Sequence, residues 1–192
     1  MTERSVPDTW EQGSPYERYV GRWSRRVAPE FLSWLGAAAG LRWLDVGCGT
    51  GALTEAILTE CEPRSVTGVE PSDGFLLTAR GTVADRATFL RGDAANIPLL
   101  DSAVDVVVSG LVLNFVPDAL AALTEMVRVA SPGGTVAAYV WDYAGEMQLM
   151  RYFWDAVVDV VPDDAGHDEA ASVFGEQVRE SRNVSLAHRR AH

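Results

Sequence analysis

Two patterns of hydrophobic positions alternate along the chain between residues 41 and 161. Short apolar runs, several of them rich in β-branched residues, predict buried strands of a parallel sheet. Apolar residues at helical spacing follow most of these runs and predict the connecting helices. We therefore expect an α/β fold in which a doubly wound, mostly parallel sheet has helices on both faces. The predicted strands are 43–46, 65–70, 87–91, 102–109 and 135–140.

The segments outside this core have different patterns. Apolar residues at helical spacing predict one helix over residues 15–27 and a second that begins at Pro29, a residue favoured at the first helical position. Gly36 or Gly40 is expected to end the second helix. The expected layout is a flexible N-terminal tail, a helical cover, the α/β core and a weakly ordered C-terminal tail, at 1–14, 15–40, 41–161 and 162–192.

Three glycines follow the first predicted strand at every second position: Gly47, Gly49 and Gly51. Glycine permits a positive φ and lacks a Cβ, so it can form a sharp turn on which a ligand lies directly against the backbone. The apolar spacing from Ala52 predicts a helix beyond the turn, and the free N–H groups at its N-terminus can receive polar ligand atoms. Strand, turn and helix together predict a nucleotide-binding site.

Two acidic residues bear on which nucleotide binds. Gly47, Gly49 and Ala52 satisfy the dinucleotide fingerprint, which leaves a nicotinamide-dependent oxidoreductase as one alternative. Asp45 stands two residues before the first glycine, where a carboxylate would repel a pyrophosphate but suits a ligand that carries an ammonium group. Glu70 ends the second predicted strand, 19 residues beyond the last glycine, and a carboxylate there can accept both hydroxyls of a ribose.

Composition argues against several other classes of protein. A net charge of −11 opposes nucleic acid or an anionic membrane as the main partner. The chain has no lysine, which excludes a P-loop lysine and Schiff-base chemistry, and its three histidines lie in the last 26 residues. Its two cysteines, Cys48 and Cys61, provide neither a disulfide framework nor a metal site. With no signal-like or membrane-spanning segment in the sequence, we expect a cytoplasmic protein.

Four segments resemble the class I S-adenosylmethionine-dependent methyltransferases, and the resemblance covers about residues 15–160. L-D-V-G-C-G-T-G at 44–51 is similar to the first motif of that family, and V-E-P-S-D-G-F-L-L-T-A-R at 69–80 resembles its second strand and the following helix. G-D-A-A-N-I-P at 92–98 resembles the segment that contacts adenine, and R-V-A-S-P-G-G-T-V at 128–136 resembles the turn before the fifth strand. The resemblance implies a Rossmann-like fold and S-adenosylmethionine as the cofactor.

The same resemblance implies how the site works. Asp93 would accept a hydrogen bond from the adenine amino group, and the N–H of Ala94 would meet a ring nitrogen. The sulfonium of the cofactor already activates its methyl group, so the protein mainly aligns the reactants, and the sequence names neither a catalytic residue nor a metal. The implied cofactor-binding residues are Asp45, Gly47, Cys48, Gly49, Gly51, Glu70, Pro71, Asp93, Ala94 and Ser109.

The methyl acceptor is expected to be a small molecule, because the chain has neither a basic face nor a nucleic-acid motif. The N-terminal segment Y-E-R-Y-V-G-R-W-S-R is similar to the helical cover of small-molecule methyltransferases. Two roles stay open for its side chains, which either cover the sheet or close the ligand site. Those side chains are Tyr16, Tyr19, Arg22 and Trp23. Asn114, after the fourth strand, is either a substrate-side residue or a loop asparagine.

The resemblance ends before the family's fold is complete. A full-length member has two further strands, the last of them antiparallel beside the fifth, whereas residues 163–192 hold no alternating apolar run. We therefore expect a sheet truncated after its fifth strand, with an exposed edge through which two chains can associate. A non-catalytic or impaired methyltransferase-like protein is accordingly a further alternative to an active enzyme.

Overall fold

The computed structural model describes residues 22–141, and the elements in this range follow the predicted order. The helices are α1 (Arg22–Leu35), α2 (Ala52–Glu60), α3 (Asp73–Val83) and α4 (Ala119–Val129), and short 3-10 helices lie at Ala84–Arg86 and Leu113–Phe115. The strands are β1 (Arg42–Val46), β2 (Ser65–Glu70), β3 (Thr88–Arg91), β4 (Val104–Gly110) and β5 (Ala130–Tyr139).

The five strands pair in parallel in the order β3-β2-β1-β4-β5. The chain runs outward from β1 through β2 to β3 and then returns to the other side of β1. This reversal places a topological switch point between β1 and β4, and open α/β sheets bind ligands at the carboxyl ends of the strands beside such a point. The predicted fold class is confirmed, and the glycine turn after β1 lies at that edge.

The sheet is buried on both faces. On one face, Trp43, Val66 and Val106 pack in a single cluster with residues of α1 and α2. Side chains of a strand alternate between the two faces, so Leu44 and Val107 belong to the opposite face, and both are 0% exposed. Strands with two buried faces read as continuous apolar runs, which is the pattern from which they were predicted.

Helix α1 runs unbroken through Pro29, so the prediction of two helices that meet at this proline is wrong. Ser24, Ala28 and Leu32 are buried at helical spacing on both sides of the proline. Burial of this continuous stripe offsets the backbone hydrogen bond that proline removes. Gly36 adopts a φ of +60° just beyond the helix, and its N–H donates to the Leu32 carbonyl at 3.0 Å, as expected for a helix-ending glycine.

The spacing of apolar residues over 117–130 predicts one apolar face for α4, of which the structure buries only part. The predicted face consists of Leu120, Leu123, Met126, Val127 and Ala130. Ala122, Met126 and Val129 are 0% exposed, whereas Leu120 is 68% exposed and Val127 is 63% exposed. The sequence places apolar residues on more than one side of this helix, so periodicity alone cannot select the buried side. The small Ala122 lies on the side that packs, where it permits a close approach of the helix to the strands.

Strand β5 begins at Ala130, directly after α4, rather than at the predicted Thr135. The Pro-Gly-Gly segment that was predicted to separate helix and strand lies inside the strand as an irregularity. Val104 of β4 pairs with Ala130, whereas Val106 pairs with Thr135. No strand within residues 22–141 pairs with the outer edge of β5, and self-association through this edge stays a prediction.

Several predictions fall on residues outside the described range. They concern the tail at 1–14, Tyr16, Tyr19, the predicted end of the core at 142–161 and the tail at 162–192. The domain limits at these positions therefore stay predictions. Within the described range, no helix is both long and apolar enough to cross a lipid bilayer.

Candidate cofactor-binding site

The glycine turn joins the end of β1 to the start of α2 at the carboxyl edge of the sheet. Gly47, Gly49 and Gly51 have φ values of +70°, +53° and +91°, in the left-handed region that favours glycine. The N–H groups of Gly47 and Cys48 both donate to the Val69 carbonyl, at 2.8 and 3.0 Å. These bonds fix the turn against the neighbouring strand β2.

The three glycines differ in the space around them. A Cβ on Gly47 would lie 2.5 Å from Cγ1 of Val112, and a Cβ on Gly51 would lie 3.3 Å from Ala79. Packing therefore requires glycine at both positions, in addition to the backbone conformation. A Cβ on Gly49 would meet no atom within 4 Å. The middle of the turn thus offers bare backbone to open space, where a ligand can lie.

Asp45 is 1% exposed and lies beside the first turn of α2. Its Oδ2 accepts a hydrogen bond from the Thr54 hydroxyl at 2.7 Å, and the N–H of Thr54 donates to the same carboxylate. Burial raises the pKa of Asp45 to about 7; the Thr54 hydroxyl opposes this shift and the negative charge of Glu70 adds to it. A cationic ligand group beside Asp45 would restore the charged form.

Glu70 is 6% exposed at the end of β2 and contacts the turn directly. Its Oε2 accepts from the N–H of Gly49 at 3.1 Å, and its Oε1 accepts from the N–H of Ser72 at 3.0 Å. Burial raises the pKa of Glu70, and these two bonds oppose that shift. Glu70 therefore links β2 to the glycine turn. The sequence predicted only that it binds a ribose, so this structural role is an addition. A carboxylate has about four lone-pair sites, so it can still accept ribose hydroxyls.

Asp93, Ala94 and Pro71 lie at the same edge of the sheet. Asp93 stands two residues beyond Arg91, which pairs with Glu70. Asp93 is exposed, and its Oδ1 accepts from the backbone N–H two residues later at 2.8 Å, as in an Asx turn. Ala94 is 9% exposed and Pro71 is exposed. The structure thus brings Glu70 and Asp93 to the ends of neighbouring strands.

The side chains of two other predicted site residues are engaged in the fold. Cys48 packs in a cluster with Leu76 and Phe89, and burial raises the pKa of its thiol. Ser109 is 0% exposed, and its hydroxyl donates to the Val46 carbonyl at 2.9 Å, which ties β4 to β1. Both side chains therefore stabilise the walls of the site.

Residues that the sequence did not single out complete the hollow beside the turn. Ser24 of α1 and Tyr139 of β5 line it together with Asp45 and the glycines. The ring of Tyr139 packs against Phe31 with centroids 4.8 Å apart, which connects α1 to the end of β5. The position of Tyr139 at the carboxyl end of a predicted strand was a usable signal. Ser24 and Thr54 had none, because each belongs to an ordinary helical pattern.

The segment after β4 carries unusual backbone strain. Leu111 has a φ of +62°, and its N–H donates to the Tyr139 carbonyl at 2.8 Å. A bulky residue in this conformation costs about 1–3 kcal/mol, and such strain is concentrated at functional sites. The next residue, Val112, contacts Gly47, and Asn114 lies in the 3-10 helix that follows. This segment therefore packs directly on the glycine turn.

The charges of the site favour a ligand that brings hydrogen-bond donors. Neither Asp45 nor Glu70 forms an ion pair with a basic side chain of residues 23–141. Their partners there are N–H groups and one hydroxyl. A buried carboxylate without a cationic partner is costly, and acids in this state are concentrated at binding sites. An ammonium group and ribose hydroxyls would satisfy both acids.

Sequence comparison identifies the same segment of the chain. Residues 44–138, which include the glycine turn, match the family described as "Methyltransferase domain". The chain is 38% identical over 117 residues to the demethylmenaquinone methyltransferase of Staphylococcus aureus strain JH9, and this match covers 59% of the chain and 47% of that protein. The chain thus spans about half the length of this curated relative.

Two solved structures share the fold. The complex between the Haloferax volcanii Trm112 methyltransferase activator and a chain described as a methyltransferase gives a TM-score of 0.65 at 24% identity, covering 79% of this chain and 68% of that one. A Methanococcus maripaludis protein, described as an S-adenosyl-L-methionine-dependent methyltransferase, gives a TM-score of 0.62 at 20% identity. This match covers 100% of this chain and 90% of that one. At these identities the likeness shows the fold alone. Taken with the sequence match, it supports the predicted resemblance to the class I S-adenosylmethionine-dependent methyltransferases, and residues 44–138 belong to the family described as "Methyltransferase domain".

Proposed function

We propose that this chain binds S-adenosylmethionine at the carboxyl edge of its sheet and transfers the methyl group to a small-molecule acceptor. The observation that carries the proposal is the open face of Gly49 between two buried acids, Asp45 and Glu70. The name of the Staphylococcus aureus relative, a demethylmenaquinone methyltransferase, supports a small-molecule acceptor. The net charge of −11 argues against nucleic acid as the acceptor.

The residues at this edge suit the chemical groups of the cofactor. Asp45 would hold the ammonium group, Glu70 would accept the ribose hydroxyls and Asp93 would accept the adenine amino group. The missing Cβ of Gly49 leaves room for the ligand against the turn. The bound cofactor supplies a methyl group that its sulfonium has already activated.

The contribution of the chain itself is alignment and the exclusion of water. Ser24 of α1 and Tyr139 of β5 close the hollow from two sides, and strained Leu111 holds the segment after β4 against the turn. Holding two reactants in line can lower a barrier by ~7–11 kcal/mol. This proposal assigns no general base, because transfer from a sulfonium depends chiefly on geometry.

Calorimetric titration with S-adenosylhomocysteine tests the cofactor site. We expect the wild-type chain to bind with a Kd on the order of micromolar, and Gly49→Ala to weaken binding at least ~tenfold because its Cβ occupies ligand space. Gly40→Ala is the matched control, since Gly40 has a φ of +77° and a Cβ there would also meet no atom within 4 Å. Gly40 precedes β1, at the opposite end of that strand from the turn. Equal losses of affinity in both variants would contradict the proposal.

The two alternatives give different outcomes in the same assay. A nicotinamide-dependent oxidoreductase would bind NAD and would keep this affinity in Asp45→Asn. A methyltransferase-like protein without activity would bind S-adenosylhomocysteine but convert no acceptor. Release of S-adenosylhomocysteine from S-adenosylmethionine, screened over small phenols and demethylmenaquinone-like quinols, would establish turnover and the acceptor class.

A further inference from the structure

Thr54 holds Asp45 with two donors. It is the third residue of α2, and its side chain is 0% exposed. Its hydroxyl donates to Oδ2 of Asp45 at 2.7 Å, and its N–H donates to the same carboxylate. The N-cap residue of α2, Gly51, makes no side-chain capping bond. A carboxylate from β1 therefore takes the place of the missing cap and lies at the positive end of the helix.

Among the described residues, the charge that acts on Asp45 is negative. Glu70 of β2 is close enough for its charge to raise the pKa of Asp45, and Asp45 in turn raises the pKa of the Cys48 thiol. Ser24 of α1 and Tyr139 of β5 line the same hollow. Among the described residues, Thr54 is therefore the side chain that favours the charged form of Asp45 against both burial and a neighbouring acid.

We propose that Thr54 is a positioning residue whose hydroxyl orients the buried Asp45 carboxylate and favours its charged form for the ammonium group of the cofactor. The proposal rests on the proposed function, because only a ligand with an ammonium group requires this charge. A merely structural threonine would fill the space beside β1, and valine would replace it without loss. The geometry favours the first role, since the 2.7 Å bond joins two side chains that are both buried.

The role has a consequence for the pH dependence of binding. A protonated Asp45 cannot attract an ammonium group, so affinity for S-adenosylhomocysteine should fall as the pH falls below about 7. The fall should approach ~tenfold per pH unit. Removing the Thr54 hydroxyl raises the pKa of Asp45 further, so the fall begins at a higher pH. Methylthioadenosine, which has the same nucleoside but no ammonium group, should bind without this pH dependence.

Calorimetry of three variants from about pH 5.5 to about pH 8.5 tests the proposal. We expect Thr54→Val to bind S-adenosylhomocysteine ~tenfold more weakly than wild type at neutral pH and to regain affinity as the pH rises. Thr54→Ser keeps the hydroxyl and should behave as wild type. Thr59→Val is the matched control on the same helix, because the exposed Thr59 hydroxyl donates to the Glu55 carbonyl at 2.8 Å. It should leave affinity unchanged.

Each outcome has a distinct meaning. In one outcome, the wild-type chain binds S-adenosylhomocysteine and Thr54→Val binds it with the same affinity and the same pH profile. This result would overturn the role of Thr54 and leave the proposed function intact. Loss of affinity in Thr54→Ser as well as Thr54→Val, without a pH shift, would show that Thr54 only packs. Absence of binding by the folded wild-type chain would overturn the proposed function, and the role of Thr54 with it. Carboxyl NMR of Asp45 in the ligand-free protein measures its pKa in wild type and Thr54→Val, and an equal value in both would also overturn the role.

Discussion

The two ends of the same parallel sheet hold their charges in different ways. At the amino end, Arg42 of β1 forms an ion pair with Asp105 of β4. The backbone N and Nε of Arg42 donate to Oδ2 of Asp105 at 2.9 and 3.0 Å, and a terminal guanidinium nitrogen donates to Oδ1 at 2.5 Å. The same guanidinium donates to the Ser131 hydroxyl in β5 at 3.0 Å. Hydrogen bonds from Arg42 hold the pKa of Asp105 below its usual range.

At the carboxyl end, Asp45 and Glu70 have no such partner among the side chains of residues 23–141. Asp45 and Glu70 are 1% and 6% exposed, and burial raises the pKa of each. Within the part of the chain that the structure describes, only N–H groups and the Thr54 hydroxyl donate to them. The amino end thus balances its charge with a partner inside the fold, whereas burial at the carboxyl end disfavours the charged forms of Asp45 and Glu70.

This difference separates stability from recognition. An internal ion pair serves the fold in the absence of any ligand. A buried acid without a cation lowers the stability of the free protein and gains stability when a cationic ligand binds. Two acids with perturbed pKa values at the carboxyl edge beside the switch point therefore indicate a binding site more directly than the glycine turn does alone.

The largest predicted effect concerns the pH dependence of stability. The folded-state pKa of Asp45, about 7, lies above its ordinary value of 3.8, so the folded chain binds more protons between these values. The contribution of Asp45 to the free energy of unfolding should accordingly be highest below about pH 4. It should decline as the pH rises through about 7, by about 4 kcal/mol in total. Asp45→Asn cannot ionise and should lose most of this decline in urea unfolding measured from about pH 4 to about pH 8.

Two comparisons make that test specific. Asp85→Asn, at an exposed acid, should keep the wild-type decline. Glu70 remains in Asp45→Asn, and since burial raises its pKa too, a smaller decline of the same sign should persist. An undiminished decline in Asp45→Asn would show that burial of this carboxylate does not destabilise the free protein.

The second effect is on ligand affinity. Glu70→Gln keeps the shape of the side chain but loses the charge, so S-adenosylhomocysteine should bind about 10- to 100-fold more weakly, as expected for charge-assisted bonds of ~1.5–3 kcal/mol. Stability should also fall, by about 1–3 kcal/mol, because the amide nitrogen of glutamine cannot accept from the N–H of Gly49 or Ser72 and leaves one of these donors without its bond. Calorimetry and urea unfolding measure the two quantities separately. Unchanged affinity in Glu70→Gln would show that Glu70 does not bind the ligand. Asp93→Ala should lose less affinity for S-adenosylhomocysteine than Glu70→Gln does.

The smallest effect on the site is expected from the amino end. Asp105→Asn should leave affinity for S-adenosylhomocysteine within about twofold of wild type, because distant sites contribute independently. The lowered pKa of Asp105 stabilises the wild-type fold above its ordinary value of 3.8, and this contribution is lost as the pH falls. The variant should therefore show a weaker dependence of unfolding on pH in the acid range. A large loss of affinity would show that the two ends are coupled and would contradict the comparison.

Much of the fold could be predicted because its signals are local. Apolar runs predicted the strands. Serine is a residue type favoured at a helix N-cap, and the Ser72 hydroxyl caps α3 by accepting from the N–H of Phe75 at 3.3 Å. The errors arose where two local rules competed. Proline predicted a break at Pro29, yet the buried stripe of α1 continued through it. Apolar residues on several sides of α4 left its buried face to be chosen by packing against the sheet.

The candidate site was predictable to the same extent. Positive φ at Gly47, Gly49 and Gly51 follows from residue type, and acids at strand ends follow from strand boundaries. The distinction between an open Gly49 and the packed Gly47 and Gly51 does not, because it depends on Val112 and Ala79. The buried hydroxyl of Ser109 and the contact of Thr54 with Asp45 likewise depend on which element lies next to which.

Asp45 and Asp105 show this division most clearly. By itself, the sequence determined that each is a single acid within an apolar strand, and that one of them precedes a glycine turn. Only the tertiary structure decided their chemistry, because Asp105 meets an arginine 63 residues away, while Asp45 meets a threonine on the helix that the turn begins. The pKa of a carboxyl depends on burial and on the donors within a few ångströms, and strand pairing selects those donors.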